Sequence, residues 1–430
     1  MKKLEAQNAK VLVIGGGGRE HAIGLQLQTD QVEKIYFAPG NAGTAKIGKN
    51  VELNLKDFGA INDFVKKNEI DLIVVGPEDP LANGIVDYFR AKGVPIVGPT
   101  KAAAQIESSK IFARQLMEEA DIPQPDFCVC NNEEETKEAI SFFGLPVVLK
   151  VDGLAAGKGA FVCKSKDDIA EAMKAIYRDK KFGVGPILVE ECLEGQEISF
   201  FVLCDILNHV VIGTAQDYKR LLDGDQGPNT GGMGSVSPSP LYIKRRSKLM
   251  NAIDDEIITP ILEMMRQKGH PFTGFLYCGL MIDKIGNPSV IEFNCRLGDP
   301  ETQVILPLIK NDFFELLWKS VNNDLADTQV SFFDISAVFI VKVAKGYPSD
   351  YQKNMTIRIV NNFDTTCCEI IHAGTRLDEN RELVTNGGRV IGAMGWGKDL
   401  TEARRVAYEA VDCIHFNNSF CRSDIGAGLS

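Results

Sequence analysis

Histidine is scarce in this chain: there are five in 430 residues, and they stand apart, with no HExxH or HxH spacing. The familiar transition-metal catalytic patterns are therefore missing. The eleven cysteines are an odd number and form no CxxC pair, which argues against a thiolate zinc site and against a secreted disulfide framework. They read as reduced core thiols. Before the first strand signal only Val11 to Ile14 are consecutively apolar, too few for a signal-peptide core or a membrane span. Positive charge is also short. With 47 Lys and Arg against 58 Asp and Glu the net charge is −11, so no broad cationic face is available to neutralise a row of nucleic-acid phosphates. A pocket for a single phosphate stays open. Together these absences lead us to expect a cytoplasmic protein with neither nucleic acid nor a membrane as partner; a monomer with small-molecule partners is a separate expectation.

What is present suits a globular chain, at 44% hydrophobic and 24% charged residues. Its length exceeds one ordinary core and implies two to four domains. The first hundred residues alternate strand and helix signals. Apolar runs at Val11–Ile14, Ile35–Ala38, Leu72–Val75 and Val94–Val97 predict strands, and Leu81–Lys92 predicts a helix. That alternation implies a parallel α/β sheet whose glycine turns converge at the carboxyl ends of the strands. Beyond Lys101 longer strands are expected at Val147–Val151, Ile187–Val189, Ile198–Cys204, Phe275–Ile282 and Val290–Phe293, an α+β unit with an inserted subdomain. The last hundred residues carry strands at Ala337–Val343, Glu369–Ala373 and Arg389–Ala393 and an amphipathic helix at Leu400–Ile414.

Four motifs bear on chemistry. Gly15-Gly16-Gly17-Gly18 follows a strand, but Glu20 and His21 occupy the places where a dinucleotide fingerprint needs its third glycine. What remains is an anion-binding turn or a structural tight turn. Asp152 to Gly159 is glycine-rich with Lys158, yet its glycine spacing and Gly159 after the lysine exclude a Walker A loop. It reads as a lid over phosphates or as a plain hairpin turn. Glu292 and Asn294 alternate onto one face of a strand as two hard oxygen donors, a pair suited to Mg²⁺, with Asp283 expected nearby. Cys295 to Glu301 adds Arg296 and further acids beside them. Finally, Glu190 to Glu197 joins two apolar strands, as an adenine-edge hinge or as an acidic surface loop.

Taken in order, GGGGREHA, APGNAGT, VGPEDPL, VLKVDGLAAGKG, VEECLEGQEISF, QDYKR, GPNTGGMG, GFLYCGLMID, VIEFNCRLGDPET, HAGT and TNGGRV run from Gly15 to Val390. This series resembles the phosphoribosylamine glycine ligases, also called glycinamide ribonucleotide synthetases, of the ATP-grasp superfamily. The resemblance implies an N-terminal domain over 1–105, an ATP-grasp domain over 106–328 with a lid at about 127–192, and a small α+β domain over 329–430. It implies ATP-driven joining of glycine to 5-phosphoribosylamine through glycyl phosphate, a step of purine biosynthesis, with Mg²⁺ or Mn²⁺ as cofactor and ATP as co-substrate.

By the same resemblance Lys110, Lys150 and the lid residues Gly157, Lys158 and Gly159 meet the ATP phosphates. Glu190, Glu191 and Leu193 form the adenine hinge, Glu197 takes the ribose, and Glu292 and Asn294 hold the metal. Asp217, Lys219, Arg296 and Asp299 are the catalytic candidates, Arg296 gripping the glycine carboxylate in a two-point fork. Substrate contacts fall to Gly17, Gly18, Arg19, Glu20 and His21, to Asn41, Gly43 and Thr44, to Gly76, Pro77 and Glu78, and to Arg220, Thr230, Gly231, Gly232 and Met233. The sequence departs from the family after Gly426, where Ala427 to Ser430 replace a further basic and apolar turn, a change expected to affect terminal packing alone. Two rival readings are a dehydrogenase built on the first strand–helix unit, which the missing glycine disfavours, and a nucleotide-binding module without turnover.

Overall fold

In a computed structural model, which describes residues 8–154, 159–183, 185–360 and 362–428, the run Val11 to Ile14 becomes the centre of strand Ala9–Gly15. Val11 and Val13 pack into one core, Leu12 and Ile14 into another. Both faces are covered, as a parallel sheet requires. Five parallel strands lie in the order Lys49–Asn50, Val32–Pro39, Ala9–Gly15, Leu72–Val75, Ile96–Val97. The turns after Gly15, Pro39 and Val75 therefore emerge on one side. The helix expected as one piece from Leu81 is two, Glu78–Ala82 and Ile85–Arg90, broken at Gly84, whose φ of +88° places it in the left-handed region.

The expected inserted unit is a four-stranded antiparallel sheet in the order Phe127–Cys130, Ile187–Glu191, Val147–Val151, Ala160–Cys163. It has its own small core around Val147, Leu149 and Val189. Gly157 and Lys158 lie outside the described residues.

The largest sheet has eight antiparallel strands. It runs Pro288–Asn294, Gly274–Ile282, Gln196–Cys204, His209–Asp217, Gly234–Ser237, Ser336–Val343, Arg389–Gly397, Cys368–His372. The C-terminal strands thus extend the central sheet, through the pairing of Gly234–Ser237 with Ser336–Val343. One apolar core accordingly contains Val11, Phe201, Leu306, Ile340 and Ala407, residues from all three expected domains. Helix Leu400–Asp412 covers the C-terminal end with Ala403, Val406, Ala407 and Ala410, the expected stripe. No helix among the described residues is long and apolar enough to cross a membrane.

Candidate active site

Strand Pro288–Asn294 pairs with Gly274–Ile282 so that Gly279 faces Glu292 while Leu280 faces Val290, leaving Ile291 as an extra residue. This bulge frees the Ile291 carbonyl, which accepts from Lys150 Nζ at 3.0 Å and from Arg114 Nη2 at 2.8 Å. Glu292 and Asn294 follow on one face, while Phe293 turns into the core. Both line a cavity of about 1210 Å³ between the two larger sheets and the four-stranded unit. Neither side chain has a hydrogen-bond partner among the described residues, so two hard oxygens face open space. Among the same residues no three His, Cys, Asp or Glu side chains are arranged to hold an ion. One carboxylate and one amide oxygen beside a cavity nevertheless fit Mg²⁺ or Mn²⁺, which in nucleotide sites keep water and phosphate oxygens as their other ligands. Asp283 does not join them: it is spent on the backbone N–H groups of Ile285, Gly286 and Asn287 in a surface turn.

Lys150 is buried and salt-bridged to Glu190 at 2.7 Å. Burial pulls its pKa down against the opposing pull of Glu190. Glu190 also takes both arms of Arg114, at 2.7 and 3.0 Å. Its carboxylate is therefore occupied inside, where it orients Lys150, while Glu190 still borders the cavity with Glu191 and Leu193. Arg114 was not singled out by the sequence; it looks like any helix cation until the partners meet. Lys110 donates to the Gly153 carbonyl at 2.9 Å and lines the cavity with Gly159, Glu191, Leu193 and Glu197.

Glu197 is half-exposed and paired with Lys219 at 2.8 Å. Burial lowers the Lys219 pKa, but Glu197, Tyr277, Glu292 and Asp217 outweigh it, so the ammonium is held protonated. Asp217, beside it, ends strand His209–Asp217. Its Oδ1 is buried and has no hydrogen-bond partner among the described residues. Burial, and next the charge of Glu301, push the Asp217 carboxyl well above the usual range. Gly232, at φ +106°, makes room for it: a Cβ there would stand 2.7 Å from Asp217 Oδ1 and run into Pro300. That explains one glycine of the Thr230–Met233 loop. Thr230 Oγ1 donates to the Lys219 carbonyl, and the Gly231 carbonyl takes Arg389. Met233 is a correction: its side chain is fully buried in the core.

Arg296 also departs from expectation. Its Nε lies 3.2 Å from Glu78 and its Nη2 2.9 Å from Glu107, so the fork expected to be open to a carboxylate is closed by two acids. Burial raises Glu78, but Arg296 and Arg19 bring it below the usual range, whereas Glu107, more deeply buried, stays raised. Asp299 is gripped by Arg389 at 2.7 Å. Arg389 lay within a quoted motif but received no role.

The N-terminal loop residues mostly serve the loop. Asn41 Nδ2 is spent on the carbonyls of Gly16, Gly17 and His372, and its Oδ1 on Gly43 and Thr44 N–H. Thr44 Oγ1 donates to Asn50. His21 accepts from His372 N–H at 3.0 Å in the interior. Glu20 accepts from Gly17 N–H and pairs with Arg19, and a Cβ on Gly76 would collide with its carboxylate. Gly18 packs against Gln303 and Asp299. Of this group Arg19, Pro77 and Glu78 reach the cavity wall, as does Arg220 from the hairpin Arg220–Asn229. The side chains of Glu20, His21, Asn41 and Thr44 are occupied within the protein, where they support the loops.

Family models of the phosphoribosylglycinamide synthetases match in series: the N domain over residues 9–107, the ATP-grasp (A) domain over 108–302 and the C domain over 337–428. A phosphoribosylamine–glycine ligase of Caldanaerobacter subterraneus subsp. tengcongensis is 42% identical over 97% of this chain and 100% of its own length. The crystal structure of a phosphoribosylamine–glycine ligase from Thermotoga maritima superposes with a TM-score of 0.82 at 35% identity, covering 97% of this chain and 100% of that one. Biotin carboxylase from Campylobacter jejuni shares the fold, at a TM-score of 0.73 and 16% identity over 96% and 93% of the two chains.

Proposed function

The chain belongs to the phosphoribosylglycinamide synthetase family, and from that footing we propose that its cavity joins two carbon–nitrogen partners through glycyl phosphate. It is an ATP-dependent ligase that couples glycine to 5-phosphoribosylamine, giving glycinamide ribonucleotide, ADP and phosphate. ATP-grasp ligases work with a divalent metal ion. Glu292 and Asn294 would hold Mg²⁺ or Mn²⁺, whose charge, when bound, offsets that of the transferred phosphoryl oxygens.

In this reading the glycine carboxylate attacks the γ-phosphorus of ATP, ADP leaves, and the amine of phosphoribosylamine then displaces phosphate from the acyl carbon. No protein nucleophile is required. Lys150, aimed by Glu190 and Arg114, supplies fixed positive charge at the phosphates, and Leu193 and Glu191 border the base. Asp217 receives the glycine ammonium on its unpartnered oxygen, since a buried acceptor with no donor is costly until a ligand supplies one. Arg389 holds Asp299, and Arg296 holds Glu78 at the cavity wall, so both act by orientation. The residues around Gly157 to Gly159 would close over the acyl phosphate and keep water out. We further propose that the enzyme acts as a cytoplasmic monomer.

The observation that carries this reading is one cavity lined by two hard oxygens, a buried lysine and Asp217, whose Oδ1 has no partner among the described residues. The test is ADP release, expected only when divalent metal, glycine and phosphoribosylamine are present together. Equal ADP release without the amine would contradict amide formation. Replacing glycine by alanine checks the amino acid.

A further inference from the structure

The residues after Gly426 are expected to affect terminal packing alone, yet Ala427 and Gly428 line the cavity, as does Asp424 just before them. Arg422 is 1% exposed, unusual for a guanidinium near a chain end. Its Nε and Nη2 make a two-point contact with Asp424 at 2.7 and 2.8 Å, and its Nη1 donates to the Arg220 carbonyl at 2.9 Å. Its face stands 5.2 Å from the centre of the Tyr218 ring. Asp424 in turn accepts from Gly224 N–H at 2.8 Å, and Asp223 accepts from Ser423 N–H at 2.8 Å and from its hydroxyl. Gly426 N–H donates to the Tyr218 hydroxyl at 2.9 Å.

Apart from the Arg422–Asp424 pair itself, each of these contacts ends on Tyr218 or on the hairpin Arg220–Asn229. Tyr218 sits in the chain between Asp217 and Lys219. Its backbone is fixed from the other side, N–H to the Gly234 carbonyl at 3.0 Å and carbonyl from Met233 N–H at 2.8 Å. The hairpin is otherwise poorly supported, since residues 222–229 are exposed. A two-stranded hairpin alone is marginal in water. We propose that Arg422 and Asp424 form a strap that positions Tyr218 and the hairpin, and through them the cavity-facing groups of Asp217 and Lys219, so that the strap sets glycine affinity. These are positioning residues; no part of Arg422 needs to touch substrate. The Arg422 guanidinium also keeps the Asp424 carboxyl at about 2, so the pair stays ionised at working pH.

The inference rests on the ligase reading, and the test separates the two. Steady-state kinetics are measured on the parent chain, on Asp424→Asn, on Arg422→Lys, and on Arg405→Ala as an exposed charge-loss control. The strap predicts that KM for glycine rises about tenfold in Asp424→Asn while KM for ATP stays within about twofold. Arg422→Lys should behave like Asp424→Asn, because an ammonium cannot reproduce the two-point fork. Thermal midpoints should fall in both variants, because each breaks the match between the buried guanidinium and its carboxylate partner, so the assays are run well below them; Arg405→Ala should match the parent throughout. Glycine KM unchanged in Asp424→Asn, or glycine and ATP parameters failing together, would overturn the strap. If Arg422→Lys does not fold, Asp424→Asn alone decides. A parent chain that makes no ADP with glycine and phosphoribosylamine would instead overturn the ligase reading.

Discussion

In the proposed reading the glycine ammonium depends on Asp217. A carboxyl whose pKa is raised by burial and by Glu301 loses its charge as pH falls, and with it the attraction for an ammonium. KM for glycine should therefore climb as pH is lowered, more steeply than KM for ATP, and the difference should vanish in Asp217→Asn. That variant should lose on the order of 10²-fold in kcat/KM for glycine while nucleotide binding, followed by equilibrium titration, persists. At the phosphate end, Glu292→Gln keeps shape but removes charge, and the divalent-metal concentration for half-maximal rate should rise about 10-fold or more. The two-residue period made Glu292 and Asn294 readable as one face. Nothing local announced that Ile291 is bulged, or that Arg114, far off in sequence, would meet its carbonyl and Glu190 together.

Among the elements, the strands were legible wherever apolar runs were bounded by glycine or proline, as at Val11–Ile14, Leu72–Val75 and Phe275–Ile282. The expected helix from Leu81 failed at Gly84, a residue that a helical pattern tolerates on paper but that here takes a left-handed conformation. Roles assigned by resemblance fared less evenly, since a motif marks where residues gather and not which of their atoms are already bonded. Asn41, Glu20 and Arg296 belong to the right loops, yet their polar groups face other protein atoms. Arg296 joins the Val75–Glu78 turn to the strand end at Asn294 through Glu78 and Glu107. Arg296→Ala would strand two largely buried carboxylates and should cost on the order of 3 kcal/mol in urea unfolding. A loss near zero would mean that the two acids are solvated or otherwise paired.

For the molecule as a whole, the three expected domains share one core, and the second and third share one sheet, a continuity invisible in sequence because it depends on pairing Gly234–Ser237 with a strand a hundred residues later. The seam between the first and last parts carries His21 and His372, ring centres 5.7 Å apart. Burial drives both below the ordinary 6.5, with Lys46 adding to it for His21 and His21 itself for His372, to about 4 and about 3. Buried neutral rings contribute stability that is fully present above the unfolded value and is lost as pH falls through the folded ones. Unfolding midpoints should hold above pH 6.5 and drop progressively below it. The ring protons of these two residues, followed by NMR, should titrate well below 6.5; titration near 6.5 would place them in water.

The proposed glycyl phosphate predicts one traceable event, the passage of an oxygen from glycine to phosphate. With ¹⁸O in the glycine carboxylate, attack on the γ-phosphorus makes that oxygen the bridge of an acyl phosphate, and displacement by the amine leaves it on phosphorus. Mass spectrometry of the released phosphate should find one ¹⁸O for every amide formed; phosphate free of label alongside labelled product would contradict the account.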